Sequence, residues 1–118
     1  MLISRAEILM RSGIDCAEAI ERFGGNESLY ERLAKKFIDD PHFAALDKAL
    51  EAGDSDLAFR EAHALKGVAG NLSFTALYEA ACRLSDALRN GDTTKARELM
   101  DPLRKAHTAV MDALATLE

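Results

Sequence analysis

The sequence predicts an all-α fold, a helical bundle, on three observations. Apolar residues recur at intervals of three and four in segment after segment, the spacing that lines one face of a helix. No stretch alternates apolar and polar residues convincingly enough to be a strand. Capping residues and glycines punctuate the chain at short intervals, and short connections make consecutive helices antiparallel neighbours. The 118 residues fit a single domain over 1–118, long enough to bury roughly two thirds of the unfolded surface.

Each element carries its own start and stop. Ser4-Arg5-Ala6-Glu7 has capping-box spacing and opens a short helix ending at Gly13, an amino-terminal extension over 1–13. Asp15 caps a second helix carrying Ala19, Ile20 and Phe23, which Gly24 and Gly25 stop. Asn26 caps a third, with Leu29, Tyr30, Leu33 and Phe37 on one side and Arg32, Lys35 and Lys36 outward. Asp40-Pro41 places a cap before a proline at the first helical position, and that helix runs through Phe43, Leu46 and Leu50 to Gly53. A fifth helix covers about 54–72. After a turn at Ser73-Phe74-Thr75, a sixth runs to Asn90 with Leu77, Ala81, Leu84 and Leu88 inward. The last covers 93–117, with Leu99, Leu103, Val110, Leu114 and Leu117 on one face, so the bundle occupies about 15–117. Pro102 inside it predicts a kink, or a restart capped by Asp101. The segments 49–54 and 87–92 echo each other: a glycine ends one helix and an aspartate caps the next. The flanks diverge, so this is shared turn chemistry, not a repeat.

Bulk properties narrow the partners. The composition, 48% hydrophobic and 30% charged, is that of a soluble globular protein. A net charge of −5 argues against nucleic acid or an anionic membrane as the main partner. No apolar run approaches the ~18 residues of a membrane span, and no secretion-signal pattern opens the chain, so the cytoplasm is the expected location. Cys16 and Cys82 lie far apart and form no C-x-x-C, as expected of two reduced thiols.

The fifth helix carries the chemistry. Ala58, Leu65, Ala69 and Leu72 form its buried stripe with Ala62 at the margin, while Phe59, His63, Lys66, Gly67 and Gly70 fall together on the other side. Glycine inside a helix costs about 0.8–1 kcal/mol relative to alanine. Two of them a turn apart point to close approach of something to a flat, exposed surface. Glu61 falls on the inward side, where an unpaired carboxylate is expensive, so it is expected at the bundle edge or beside a basic residue. His42 and His107 have no comparable context.

An exposed imidazole has a pKa near 6.5 and is mostly a neutral base at neutral pH. Metal binding needs further ligands at helical spacing, and the neighbours of His63 are Phe59, Arg60, Lys66 and Gly67, none of them suitable. Attack on phosphorus fits better, because Lys66 one turn away offsets the charge of the product. The phosphoryl donor must be external, since neither G-x-x-x-x-G-K-[ST] nor a strand-linked G-x-G-x-x-G is present. Phe59 is either core or a docking anchor.

At Ala62-His63-x-x-Lys66-Gly67, with Ala69, Asn71 and Leu72 following, the chain resembles the histidine-containing phosphotransfer (HPt) domain family. Gly13-Ile14-Asp15, the run Arg22-Phe23-Gly24-Gly25-Asn26 with Leu29 and Tyr30, and the segment 84–92 are similar to stretches common in that family. The resemblance implies an antiparallel up-down four-helix bundle with an additional amino-terminal helical segment. It implies that His63 takes a phosphoryl group on its outer ring nitrogen from a phospho-aspartate of a response-regulator receiver domain and passes it to another. Lys66 then balances charge, and Gly67 admits the receiver; the helix face itself, apart from the resemblance, offers Phe59 and Gly70 as further partner contacts. The resemblance further implies no kinase activity of its own, no cofactor on this chain with Mg²⁺ on the receiver, and a hybrid sensor histidine kinase as a second candidate partner. Ser73 stands where many members have glycine, ten residues after the histidine. Two other readings remain open: a module that docks receivers without accepting phosphate, and a hydrolase, for which Arg60 and Lys66 are poor bases.

Overall fold

The computed structural model describes residues 5–117, which form α1 (Arg5–Arg11), α2 (Cys16–Arg22), α3 (Glu27–Lys36), a 3-10 turn (Phe37–Asp39), α4 (His42–Glu51), α5 (Ser55–Asn71), α6 (Thr75–Arg89) and α7 (Thr93–Ala115). The Ser4 cap expected for α1 lies outside the described residues. Four helices begin alike, with a side-chain oxygen accepting from the backbone N–H three residues on: Asp15 from Glu18, Asn26 from Leu29, Asp54 from Leu57 and Asp92 from Lys95. Each bond satisfies a donor the helix leaves unpaired. At α4 the Asp40 carboxylate accepts from the His42 N–H, and Pro41 already has helical backbone angles.

The two echoed segments close in the same way. Gly53 and Gly91 take φ of +72° and +74°, and the N–H of the following aspartate donates to the carbonyl five residues back, Asp54 to Ala49 and Asp92 to Ala87. These turns reverse the chain between α4 and α5 and between α6 and α7. The four long helices thus close a ring in which α4 packs on α5, α5 on α6, α6 on α7 and α7 on α4. Leu46, Leu65, Leu77, Leu84, Leu103 and Leu114 fill its centre, and fully buried alanines such as Ala58, Ala62, Ala81 and Ala96 let the helices approach.

Pro102 does not break α7. The helix is continuous from Thr93 to Ala115, and neither a restart nor an Asp101 cap is present. The bond Pro102 cannot donate would reach Glu98, and both residues face solvent, where water serves the freed carbonyl. Met100 and Leu103, both buried, hold the segment to the core. Glu61 is paired as expected: its Oε2 lies 2.7 Å from His42 Nδ1, both half-buried between α4 and α5.

The helices before the ring reach as far as Lys36, with α1 and α3 packing on α7. They are tied to the α5–α6 turn by three polar contacts to its backbone, besides a side-chain bond from Ser73 to Glu18. The buried Tyr30 hydroxyl donates to the Leu72 carbonyl at 2.7 Å, the Asp15 N–H to the Ser73 carbonyl at 2.9 Å, and the Ala76 N–H to the Gly13 carbonyl at 3.1 Å. Burial raises the Tyr30 pKa far above that of an ordinary phenol, so the hydroxyl stays a donor.

Gly13 is required at that contact. Its φ is +81°, and an added Cβ would stand 2.5 Å from the Ala76 Cβ. Gly13→Ala should therefore lose about 2–4 kcal/mol in urea unfolding, from left-handed strain and overpacking together. In a double-mutant cycle, Ala76→Gly should be less harmful beside Gly13→Ala than alone.

His107 is a structural residue. Its ring stacks on Phe43 at 4.2 Å and 12° and meets Phe37 edge-on at 5.8 Å. Burial pushes its pKa below the ordinary value; Asp40 opposes the shift and Arg104 adds to it. Above the unfolded-state pKa near 6.5 both states hold it neutral, so its contribution to stability is complete. As pH falls through and below that value, the unfolded chain takes up a proton that the folded chain resists, and stability is lost. His107→Phe keeps the ring contacts without the titration, so its fall in Tm between pH 7.5 and 5 should be smaller than that of the unsubstituted protein.

Candidate functional site

The Asp54 cap starts α5, and the helical period then sets its two faces. Ala58, Ala62, Leu65 and Ala69 are fully buried, which turns His63 outward. The imidazole is exposed. One turn earlier, the half-buried Phe59 packs at the margin of the core with its ring 6.0 Å from that of His63 and inclined by 26°. The Arg89 guanidinium from the end of α6 lies over the same Phe59 ring, 5.8 Å from its centre.

One turn later come Lys66 and Gly67, and the two glycines prove different in kind. An added Cβ at Gly67 would meet nothing within 4 Å, so this part of the helix is bare to an approaching molecule. At Gly70 an added Cβ would stand 3.1 Å from the Tyr78 ring. The close approach expected of a partner at Gly70 is thus made by this chain's own α6, which gives Gly70 a packing role. Tyr78 lies half-exposed over it, and the Cys82 side chain one turn on raises the Tyr78 pKa.

The surface here is not flat, as two solvent-facing glycines suggest. Lys66, Gly67 and Gly70 form one wall of a hollow of about 600 Å³, and Glu18 and Arg22 of α2 and Tyr78 and Glu79 of α6 line it as well. A smaller hollow of about 490 Å³ lies at the other end, lined by Phe59, Arg60 and Arg89 among others. His63 stands on α5 between the residues of the two. The structure therefore brings Lys66, Gly67 and Gly70 together and places Phe59 on the opposite side of His63. Sequence reasoning did not find Arg22, Glu18, Tyr78 or Arg89 at these positions. They arrive from α2 and α6 through tertiary packing, and no local pattern marks them.

The arrangement presents, on one helix face, an ammonium and an exposed imidazole whose ring nitrogens have no hydrogen-bond partner among the described residues. The other two histidines are engaged, His42 with Glu61 and His107 between phenylalanines. Among the described residues, no three His, Cys, Asp or Glu side chains gather to hold a metal ion, and no helix is long and apolar enough to cross a membrane.

A family model described as the Hpt domain matches residues 39–116, from the 3-10 turn to the end of α7. Comparison with curated proteins and with solved structures finds no significant match.

The bareness of Gly67 has a measurable consequence. Gly67→Ala should raise stability by about 0.8–1 kcal/mol in thermal or urea unfolding, the ordinary gain of alanine over glycine in a helix. Gly70→Ala should gain less, because the Tyr78 ring must move to admit the methyl group.

Proposed function

The chain belongs to the Hpt domain family, whose members generally mediate phosphotransfer in phosphorelays, and we propose that it is a histidine phosphotransfer protein carrying its phosphoryl group on His63. Its place is between aspartates of response-regulator receiver domains in a multistep two-component relay. The observation that carries this reading is the exposed imidazole of His63 one turn from Lys66, beside the open surface over Gly67.

The chemistry asks little of this chain. The Nε2 lone pair attacks phosphorus of the receiver's phospho-aspartate, and an N–P bond forms as the P–O bond to the aspartyl carboxylate breaks. The bonding pair leaves with the carboxylate, and the Nδ1 proton stays on the ring. Lys66 offsets negative charge on the phosphoryl oxygens. Gly67 lets the receiver's backbone approach closely enough for in-line transfer. Mg²⁺ belongs to the receiver's acidic site, and the chain needs no cofactor of its own. The relay is cytoplasmic, with a hybrid sensor kinase as a further partner.

Incubation with labelled, phosphorylated receiver domains should place label on this chain with the acid-labile, alkali-stable behaviour of phosphohistidine. His63→Gln should abolish it. Gly67→Leu should slow transfer from receivers by roughly tenfold or more, since small misplacements of reacting atoms are costly. Phosphorylation of that variant by phosphoramidate, a donor too small to need the open surface, should be preserved. A protein that binds receivers and never acquires label is a docking module instead. Label that persists without His63 means the wrong residue has been assigned.

A further inference from the structure

We propose that Arg22 is a receiver-binding residue, held at the rim of the hollow beside Lys66 by a Ser73–Glu18 link, so that α2 contributes to partner choice. The proposal rests on the receiver reading above. Arg22 and Glu18 lie outside 39–116, the segment that the family model matches, and Ser73 lies within it.

The first observation is backbone strain. Ser73 takes φ of +58° and is the only non-glycine residue with positive φ among those described. A left-handed conformation is costly for any residue but glycine, which would take this position freely. The second is what the serine does there. It is buried at 3% exposure, and its Oγ donates to Glu18 Oε1 at 3.2 Å, a contact glycine lacks. The third is where the link leads. The same Glu18 oxygen accepts from Arg22 Nη2 at 2.6 Å, and no second partner of the guanidinium is found among the described residues.

Stability alone does not select this arrangement. A half-buried hydrogen bond to a carboxylate contributes about as much as the strain removes. What serine adds over glycine is a fixed direction for Arg22. Glu18 engages one of the five N–H donors of the guanidinium, and Arg22 lines the hollow that Lys66 and Gly67 share. A receiver seated over Gly67 with its phospho-aspartate at His63 must pass across this rim. The fork of Arg22 is then placed to donate to a carboxylate or backbone carbonyl on the receiver. Glu79 on the same hollow repels receivers carrying a carboxylate opposite it, which adds discrimination.

The test compares a docking donor with a non-docking one. Purified receiver domains from the same organism, phosphorylated with acetyl phosphate, and phosphoramidate alone are each used to phosphorylate the full chain. Arg22→Glu should raise the receiver concentration for half-maximal transfer about fivefold, leaving the rate at saturation and the phosphoramidate rate unchanged. Arg22→Lys should fall between the two. Ser73→Gly should weaken receiver transfer about twofold with no fall in unfolding midpoint, a separation that a purely structural role would not produce. Receiver transfer by Arg22→Glu within 1.5-fold of the unsubstituted protein overturns the proposal, as does an equal loss with phosphoramidate. Unsubstituted protein that takes phosphate from phosphoramidate but from no receiver removes the underlying reading, and the proposal with it.

Discussion

The turn between α5 and α6 is the point on which the rest of the molecule depends. It ends the helix that carries His63, and the amino-terminal helices meet the bundle at its backbone. The Leu72 and Ser73 carbonyls accept from Tyr30 and Asp15, and the Ala76 N–H donates to Gly13. A buried backbone group without a partner is costly, so the turn and the amino-terminal segment need each other. The turn itself closes like the two glycine-centred turns, with the Phe74 N–H donating to the Ala69 carbonyl, but with Ser73 at the left-handed position. Phe74, fully buried and edge-on to Phe37, anchors it from inside.

From that anchor the reactive surface follows. Once the alanine and leucine stripe of α5 is fixed against its neighbours, helical geometry leaves no choice about where His63 and Lys66 point. The bundle supplies position and charge, and it leaves the imidazole uncommitted. The same fold commits the other two histidines elsewhere.

Much of this was legible from the residues. The caps at Asp15, Asn26, Asp54 and Asp92 and the echoed glycine turns depend on local backbone chemistry, which a sequence displays directly. The inward stripe of α5 is a periodicity and was equally plain. No restart occurs at Pro102, because α7 is held by its buried face and the missing donor lies on the solvent side. Gly70 misled because a gap filled by another helix looks, in one dimension, like a gap left for a partner; only the position of Tyr78 tells them apart. The hollow beside Lys66 was not visible for the same reason. Its far wall comes from α2, more than forty residues away in the chain.

The most direct test of the central claim is to ask which nitrogen takes phosphate when no partner directs it. The full chain would be treated with phosphoramidate and examined by phosphorus–proton correlation NMR, with each histidine assigned. The account predicts one phosphohistidine, at Nε2 of His63, with His42 and His107 unmodified. Phosphate on either of those two, or on Nδ1 of His63, would contradict it.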